Sequence, residues 1–84
     1  MNELEQEVIS HLDTIDPDRD LPDRMKKLGE EFGELCEAIV RGHGGESKKE
    51  AADCIIVLID LMGMLGSNVV SEVRKKLEEL KARV

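Results

Sequence analysis

Two acidic clusters flank a short glycine-rich loop in the middle of this chain, Glu30-Glu31-x-x-Glu34 before it and Glu50-x-x-Asp53 after it. Carboxylates grouped this densely repel one another, and burying any of them unpaired costs roughly several kcal/mol per ion. They tolerate one another only where a cation sits between them. A donor set made entirely of carboxylate oxygens suits a hard divalent ion, and magnesium is the natural candidate.

The elements that position these groups are helices. Leu28, Phe32, Leu35 and Ile39 recur at helical spacing, which predicts an amphipathic helix over residues 22–41. Projected at about 100° per residue, Glu31 and Glu34 fall on one edge of its apolar stripe with Ala38 between them, while Glu30 and Glu37 turn toward solvent. The next predicted helix, 46–65, is apolar on nearly every side from Ala51 to Leu65, the pattern of a buried helix. Its acidic residues, Glu46, Glu50, Asp53 and Asp60, form one narrow stripe that Val57 completes. The loop Gly42-His43-Gly44-Gly45 is short enough to force the two helices antiparallel. At about 1.5 Å per residue, Glu34 and Asp53 then lie at one level, with Glu31 somewhat higher and Glu50 lower. Four carboxylates converge between two helices, the arrangement of a metal site. Asp60 lies two turns beyond Asp53. Three roles stay open for it: an outer contact to the metal, an acceptor for a substrate group, or a partner for a basic residue of a neighbouring subunit.

The pattern E-E-x-x-E followed across a loop by E-x-x-D, both on helices, resembles the MazG-like group of all-α nucleoside triphosphate pyrophosphatases. The resemblance is clear from about Met25 to Leu65 and looser through the last helix. It implies a single all-α domain over residues 1–84, a four-helix MazG-like bundle completed by oligomerisation. It also implies magnesium-dependent hydrolysis of a (d)NTP at the α-phosphorus to the monophosphate and pyrophosphate, with two magnesium ions (manganese as a substitute) and a house-cleaning role in the nucleotide pool. On this resemblance Glu31, Glu34, Glu50 and Asp53 are the metal ligands. Glu30, left over, orients the attacking water or acts as its general base. Such sequences carry basic residues in the last helix that contact substrate phosphates, a role that falls here to Lys76 and Arg83. Lys27 projects near Glu31 and Glu34, where it neutralises them without metal or reaches the substrate. The plainer reading of Lys27 is an ordinary i,i+4 pair with Glu31.

Composition narrows the function class. The charge balance, 19 Asp plus Glu against 12 Lys plus Arg, argues against a general nucleic-acid binder, which needs a basic face. No apolar run reaches the roughly 20 residues that span a membrane. Cys36 and Cys54 sit inside predicted helices without a disulfide spacing and without a signal peptide, which points to small buried thiols in a reducing cytoplasm. Phe32 is the one aromatic residue, so an all-round apolar helix is hard to cover within 84 residues, and a homodimer or homotetramer is expected.

The remaining segments frame the central hairpin. Asn2 with Glu5 forms a capping box for a helix over 3–15, whose apolar face is Leu4, Val8, Leu12 and Ile15. His11 lies beside that face, as a rim residue or a nucleotide contact. The run from Asp16 to Asp23 holds two prolines and reads as a connector, with Pro22 suited to open the second helix. Arg19 and Arg24 come near enough to the acidic helix to bind phosphate, although a solvated position is the plainer expectation. Gly29, Gly33 and Cys36 form a strip of small residues that invites close approach of another helix. Gly42 is placed to stop the second helix, and His43 follows in the loop without a metal-ligand spacing. Asn68 caps a last helix over 69–83, whose seam of Val70, Val73, Leu77, Leu80 and Val84 has the spacing of a helix hairpin or coiled coil.

Three rival readings differ in what they require. A phosphoribosyl-ATP pyrophosphatase, from the same superfamily, usually carries Tyr and His just after E-x-x-D, where this chain has Ile55-Ile56-Val57. A di-iron carboxylate bundle needs Glu-x-x-His on two helices, and neither histidine has a glutamate three residues before it. A non-enzymatic acidic interaction module would release no pyrophosphate from any nucleotide and would gain no stability from magnesium.

Overall fold

The computed structural model describes residues 2–83, with four helices and, among those residues, no strand: α1 (Glu3–Ile15), α2 (Leu21–Val40), α3 (Gly44–Met64) and α4 (Val69–Ala82). The predicted helices match these to within two residues at each end. Local chemistry sets the boundaries. The Asn2 side chain accepts from the Glu5 N–H at 2.8 Å, and the Glu5 carboxylate accepts from the Asn2 N–H at 3.3 Å, closing the capping box on α1. Asp20 caps α2 through the Asp23 N–H, with Pro22 in the first turn, and Asn68 caps α4 through the Ser71 N–H. Gly42 and Gly66 end α2 and α3 in the left-handed region, at φ 75° and 79°. There the next residue's N–H folds back onto the helix, His43 to the Ala38 carbonyl and Ser67 to the Met62 carbonyl, each at 3.0 Å.

The short link from Arg41 to His43 turns α3 back along α2, and these two helices share the main packing seam. α1 lies against the far part of α3, so close that a Cβ on Gly63 would sit 2.9 Å from Ile9 Cδ1. Only a residue without a side chain fits that crossing without displacing Ile9. α4 leaves α3 at a bend of 95° and touches the rest of the chain chiefly through its first turn. That turn is fixed by Glu5, which is 3 % exposed and whose second carboxylate oxygen accepts the Val70 N–H at 3.2 Å. Glu5 therefore caps two helices at once, a role the local capping pattern does not reveal.

The buried apolar core is small: Ala38, Cys54, Val57, Ile59 and Leu61. At its centre is a charge. Asp60 is 1 % exposed, and Arg19 donates from Nε and Nη2 to its two carboxylate oxygens, each at 2.8 Å. Arg24 brings a second guanidinium, Nε at 2.8 Å from Asp60 Oδ2. The expectation that both arginines are solvated is thus corrected, and Asp60 pairs within its own chain. The cause is geometric: the connector folds Arg19 between Asp13 of α1 and Asp60 of α3, and Arg24 reaches Asp60 across the α2–α3 seam.

Several apolar surfaces stay uncovered in the single chain. Ile55, Ile56 and Leu58 are exposed, so α3 is buried on one side only, and Cys36 is exposed while Cys54 is buried, both as free thiols. No atom lies within 4 Å of a Cβ built on Gly29 or Gly33, so no helix of the same chain approaches that strip. Along α4, Val73, Leu77 and Leu80 are exposed, and Val84 lies outside the described residues. Among the described residues no single helix is long and apolar enough to cross a membrane.

Removing the Asp60 carboxylate leaves two buried guanidinium groups facing each other. Asp60→Ala is expected to lower unfolding free energy by about 3–5 kcal/mol, as breaking one side of a buried ion pair does. Urea denaturation of the variant beside wild type measures it, and a loss below about 1 kcal/mol contradicts the ion-pair account.

Candidate metal centre

One oxygen each from Glu31, Glu50 and Asp53 lies within 4.8 Å of the others, close enough for one cation to touch all three. The register of the α2–α3 hairpin makes this meeting. Glu31 rises from the buried edge of α2, and Glu50 and Asp53, three residues apart on α3, face it across the seam. Glu31 is 6 % exposed, Glu50 is half-buried and Asp53 opens to solvent, so the cluster has a dry floor and a wet mouth.

Glu34 stands one turn nearer the loop, exposed, its carboxylate within hydrogen-bonding reach of Glu50. With Glu50 it lines a hollow of about 180 Å³ that Arg41 and His43 close on the loop side. Glu30 is exposed on the solvent side of Glu31. Lys27 donates an ion pair to Glu31 at 2.9 Å, which holds the Lys27 ammonium above its ordinary pKa. Lys76 pairs with Glu79 at 3.1 Å, and Arg83 closes the C-terminus of α4. Within one chain both lie on the helix that departs from the far end of α3, about 17 Å along that helix from Asp53 at 1.5 Å per residue.

The electrostatics of the cluster are those of charges lacking a counter-ion. Burial first, then the neighbouring Glu34 carboxylate, and then the charges of Asp53 and Glu31 push the Glu50 pKa up to about 7. The Cys54 thiol rises too, through burial and then through Glu31, Asp53 and Glu50. Glu50 Oε2 is buried and accepts no hydrogen bond. A buried carboxylate oxygen without a donor is costly by itself, and a divalent cation at this point would satisfy it. The donor set is all oxygen, which fits a hard ion. Lys27 supplies one positive charge against four acids, too little to balance them.

Beside the cluster a second cavity, of about 410 Å³, runs along the seam between α1, α2 and α3. Glu31 and Asp53 line it, as do the aliphatic side chains of Leu12, Ile15, Ile56 and Val57. His11 lies outside it, in a shallow apolar hollow with Leu4 and Val8. The arrangement joins an acidic, cation-ready end to an apolar slot, suited to a ligand that is anionic at one end and flat or apolar at the other.

Over 81 residues, 96 % of this chain, the sequence is 37 % identical to the dATP/dGTP diphosphohydrolase of Cyanophage S-2L, and the match spans 73 % of that protein. No protein-family model and no solved structure matches the chain.

The crowding of Glu50 has a pH signature. Its folded-state pKa lies above the ordinary 4.5, so the folded chain holds this proton more tightly than the unfolded one. The stability it contributes is complete below the ordinary value and is lost as pH rises through about 7. Thermal melts of metal-free protein between about pH 5 and pH 8 are expected to fall more steeply for wild type than for Glu50→Gln. Parallel curves for the two proteins would show that Glu50 is not crowded.

Proposed function

The chain belongs to the family of the cyanophage dATP/dGTP diphosphohydrolase, and we propose that it hydrolyses deoxynucleoside triphosphates at the α-phosphorus, releasing pyrophosphate and the monophosphate. The convergence of Glu31, Glu50 and Asp53, with one buried carboxylate oxygen lacking any donor, carries this reading. Purine substrates, dATP and dGTP, are the first choice because the relative is named for them.

In this reading Glu31, Glu50 and Asp53, with Glu34 beside Glu50, hold one or two magnesium ions, and manganese substitutes. Bound there, the metal supplies charge to the phosphoryl oxygens and lowers the pKa of water. The chain's own residues do the rest. The carboxylates would engage the triphosphate only through the cations they hold, beside the wet mouth of the cluster. Glu30, on the solvent side of Glu31, orients the attacking water and takes its proton as the bond from the α-phosphorus to the bridging oxygen breaks. Pyrophosphate leaves toward solvent. Lys27, paired with Glu31 at 2.9 Å, would be free to contact the phosphates if Glu31 served as a metal ligand. Lys76 and Arg83 serve as phosphate contacts from α4 of a neighbouring subunit, since their own α4 points away from the cluster. Clearing unwanted triphosphates from the nucleotide pool is the role that suits such a reaction.

Assembly belongs to the same proposal. The exposed face of Met25, Phe32, Ile55 and Leu58, the open glycine strip and the seam of α4 are apolar surfaces that a second copy covers, giving a homodimer or a dimer of dimers. Light scattering at micromolar concentration is expected to return at least twice the 9.4 kDa of one chain, and a monomer at that concentration contradicts it.

The activity test uses charge as well as turnover. With magnesium, dATP or dGTP is expected to give pyrophosphate and the monophosphate, and orthophosphate with a diphosphate instead would contradict attack at the α-phosphorus. Asp53→Asn keeps the shape and removes one repelling charge, so it abolishes pyrophosphate release while the metal-free melting temperature rises or holds. Magnesium stabilises wild type by about 2.7 kcal/mol at a hundredfold excess over its dissociation constant, and stabilises the variant much less. Glu78→Gln on α4 is the control. An active Asp53→Asn, or one that magnesium stabilises as strongly as wild type, removes the carboxylate cluster as the metal site.

A further inference from the structure

Along α4, Val70, Val73, Leu77 and Leu80 alternate three- and four-residue spacing, the a and d positions of a coiled-coil seam. On this register the e and g positions that flank the seam are Arg74, Lys76, Lys81 and Arg83. All four are basic, and all four are exposed. The acids of the helix stand away from the seam, where Glu79 pairs with Lys76 and Glu78 with Lys81. Two such helices joined along their seams bring cation against cation, at e–g′ contacts when parallel and at e–e′ and g–g′ contacts when antiparallel. Like charges set opposite each other across an interface reject that pairing. The α4 seam does not suit a second α4.

An apolar seam with basic rims fits an apolar groove with acidic rims. The chain carries such a groove between α1 and α3, a hollow of about 230 Å³ lined by Leu4, Val8, Leu12 and Ile56, with Glu7 and His11 at its edge. Glu3, exposed, stands one turn before Glu7 along α1. No residue of the same chain's α4 lines this hollow, because α4 bends away by 95°. The apolar hollow around Met25, Gly29, Phe32 and Leu58 has no acid in its wall, so it offers the α4 cations nothing. Charge over the whole chain points the same way. Residues 1–68 hold sixteen acids against seven bases, whereas residues 69–83 hold five bases against three acids. A second copy's acidic body therefore attracts the arm. An anionic lipid surface, the other environment that suits a basic-rimmed amphipathic helix, repels the body the arm is attached to.

Resting on the assembly reading above, we infer that α4 is an exchanged arm: its seam docks in the α1–α3 groove of a second copy, a basic rim against Glu3 and Glu7, and receives that copy's arm in return. Reciprocal docking closes as a twofold pair and leaves neither seam open. α1 and α4 are matched for it in length, at 13 and 14 residues. The groove shares Leu12 and Ile56 with the 410 Å³ cavity that Glu31 and Asp53 line. A docked arm thus adjoins the carboxylate cluster of the other copy, on a side that one chain leaves open.

The test reads assembly of the full chain, by sedimentation velocity and by carbodiimide cross-linking of an equilibrated mixture of isotope-labelled and unlabelled protein. The mixture separates contacts between copies from contacts within one. Wild type is expected to join a lysine of α4 to Glu3 or Glu7 of the other isotope form. Reversing the rim of the arm that faces α1, either Arg74→Glu with Lys81→Glu or Lys76→Glu with Arg83→Glu, is expected to weaken pairing about tenfold or more, and so is Glu7→Lys. Combining Glu7→Lys with that reversed rim in one chain is expected to restore pairing to within about threefold of wild type. Tighter pairing after a rim reversal means that arms pair with each other, and overturns the inference. An oligomer with no cross-link from α4 to α1 of another copy, which none of these substitutions weakens, keeps the assembly reading and overturns the exchanged arm alone. A wild type that stays monomeric defeats both, and its sedimentation with phosphatidylglycerol vesicles would give the seam to lipid.

Discussion

A carboxylate that is 1 % exposed stays charged only if cations reach it, and the packing of this small protein is arranged around that requirement at Asp60. Arg19 arrives from the connector between α1 and α2, and Arg24 from the first turns of α2. One acid on α3 thereby ties together the three elements that build the seam. Arg19 carries a further ion pair to Asp13 on α1 at 2.8 Å, which extends the tie to the surface. With only five buried apolar residues among those described, loss of this tie is not easily made good elsewhere.

The seam between α2 and α3 is polarised from end to end. Near the loop it gathers Glu31, Glu34, Glu50 and Asp53, and the strain of that gathering appears in the raised pKa of Glu50 and in its oxygen without a donor. Two turns away it gathers Arg19 and Arg24 around one acid. A hollow along this seam has acids short of cations at one end and arginines matched by acids at the other, with aliphatic walls between.

The chain also presents more apolar surface than a single copy covers. The half-exposed α3, the open face of α2 at Gly29 and Gly33, and the arm formed by α4 share one cause: only α1 and the hairpin fold back on each other. Glu5 fixes where the arm begins by capping α1 and α4 together, so the direction of α4 is set by a buried hydrogen bond and not by packing along its length.

The sequence alone determined the four helices, because their signals are local: the capping box at Asn2, the side-chain cap at Asn68, Pro22 in a first turn, and the glycines that stop α2 and α3. It also determined that the acidic clusters face each other, since a link of three residues leaves an antiparallel hairpin little choice of register. Burial was less legible. The apolar periodicity of α3 shows which residues prefer to be covered but not whether the chain has anything to cover them with, so Ile55 and Leu58 read as core and lie exposed. The arginines were missed for the converse reason. Arg19 and Asp60 are 41 positions apart, and nothing local marks an arginine in a connector as one that will be drawn inside. Only the tertiary structure decided that pairing, because the stability of a buried charge depends on which opposite charge the fold brings to it.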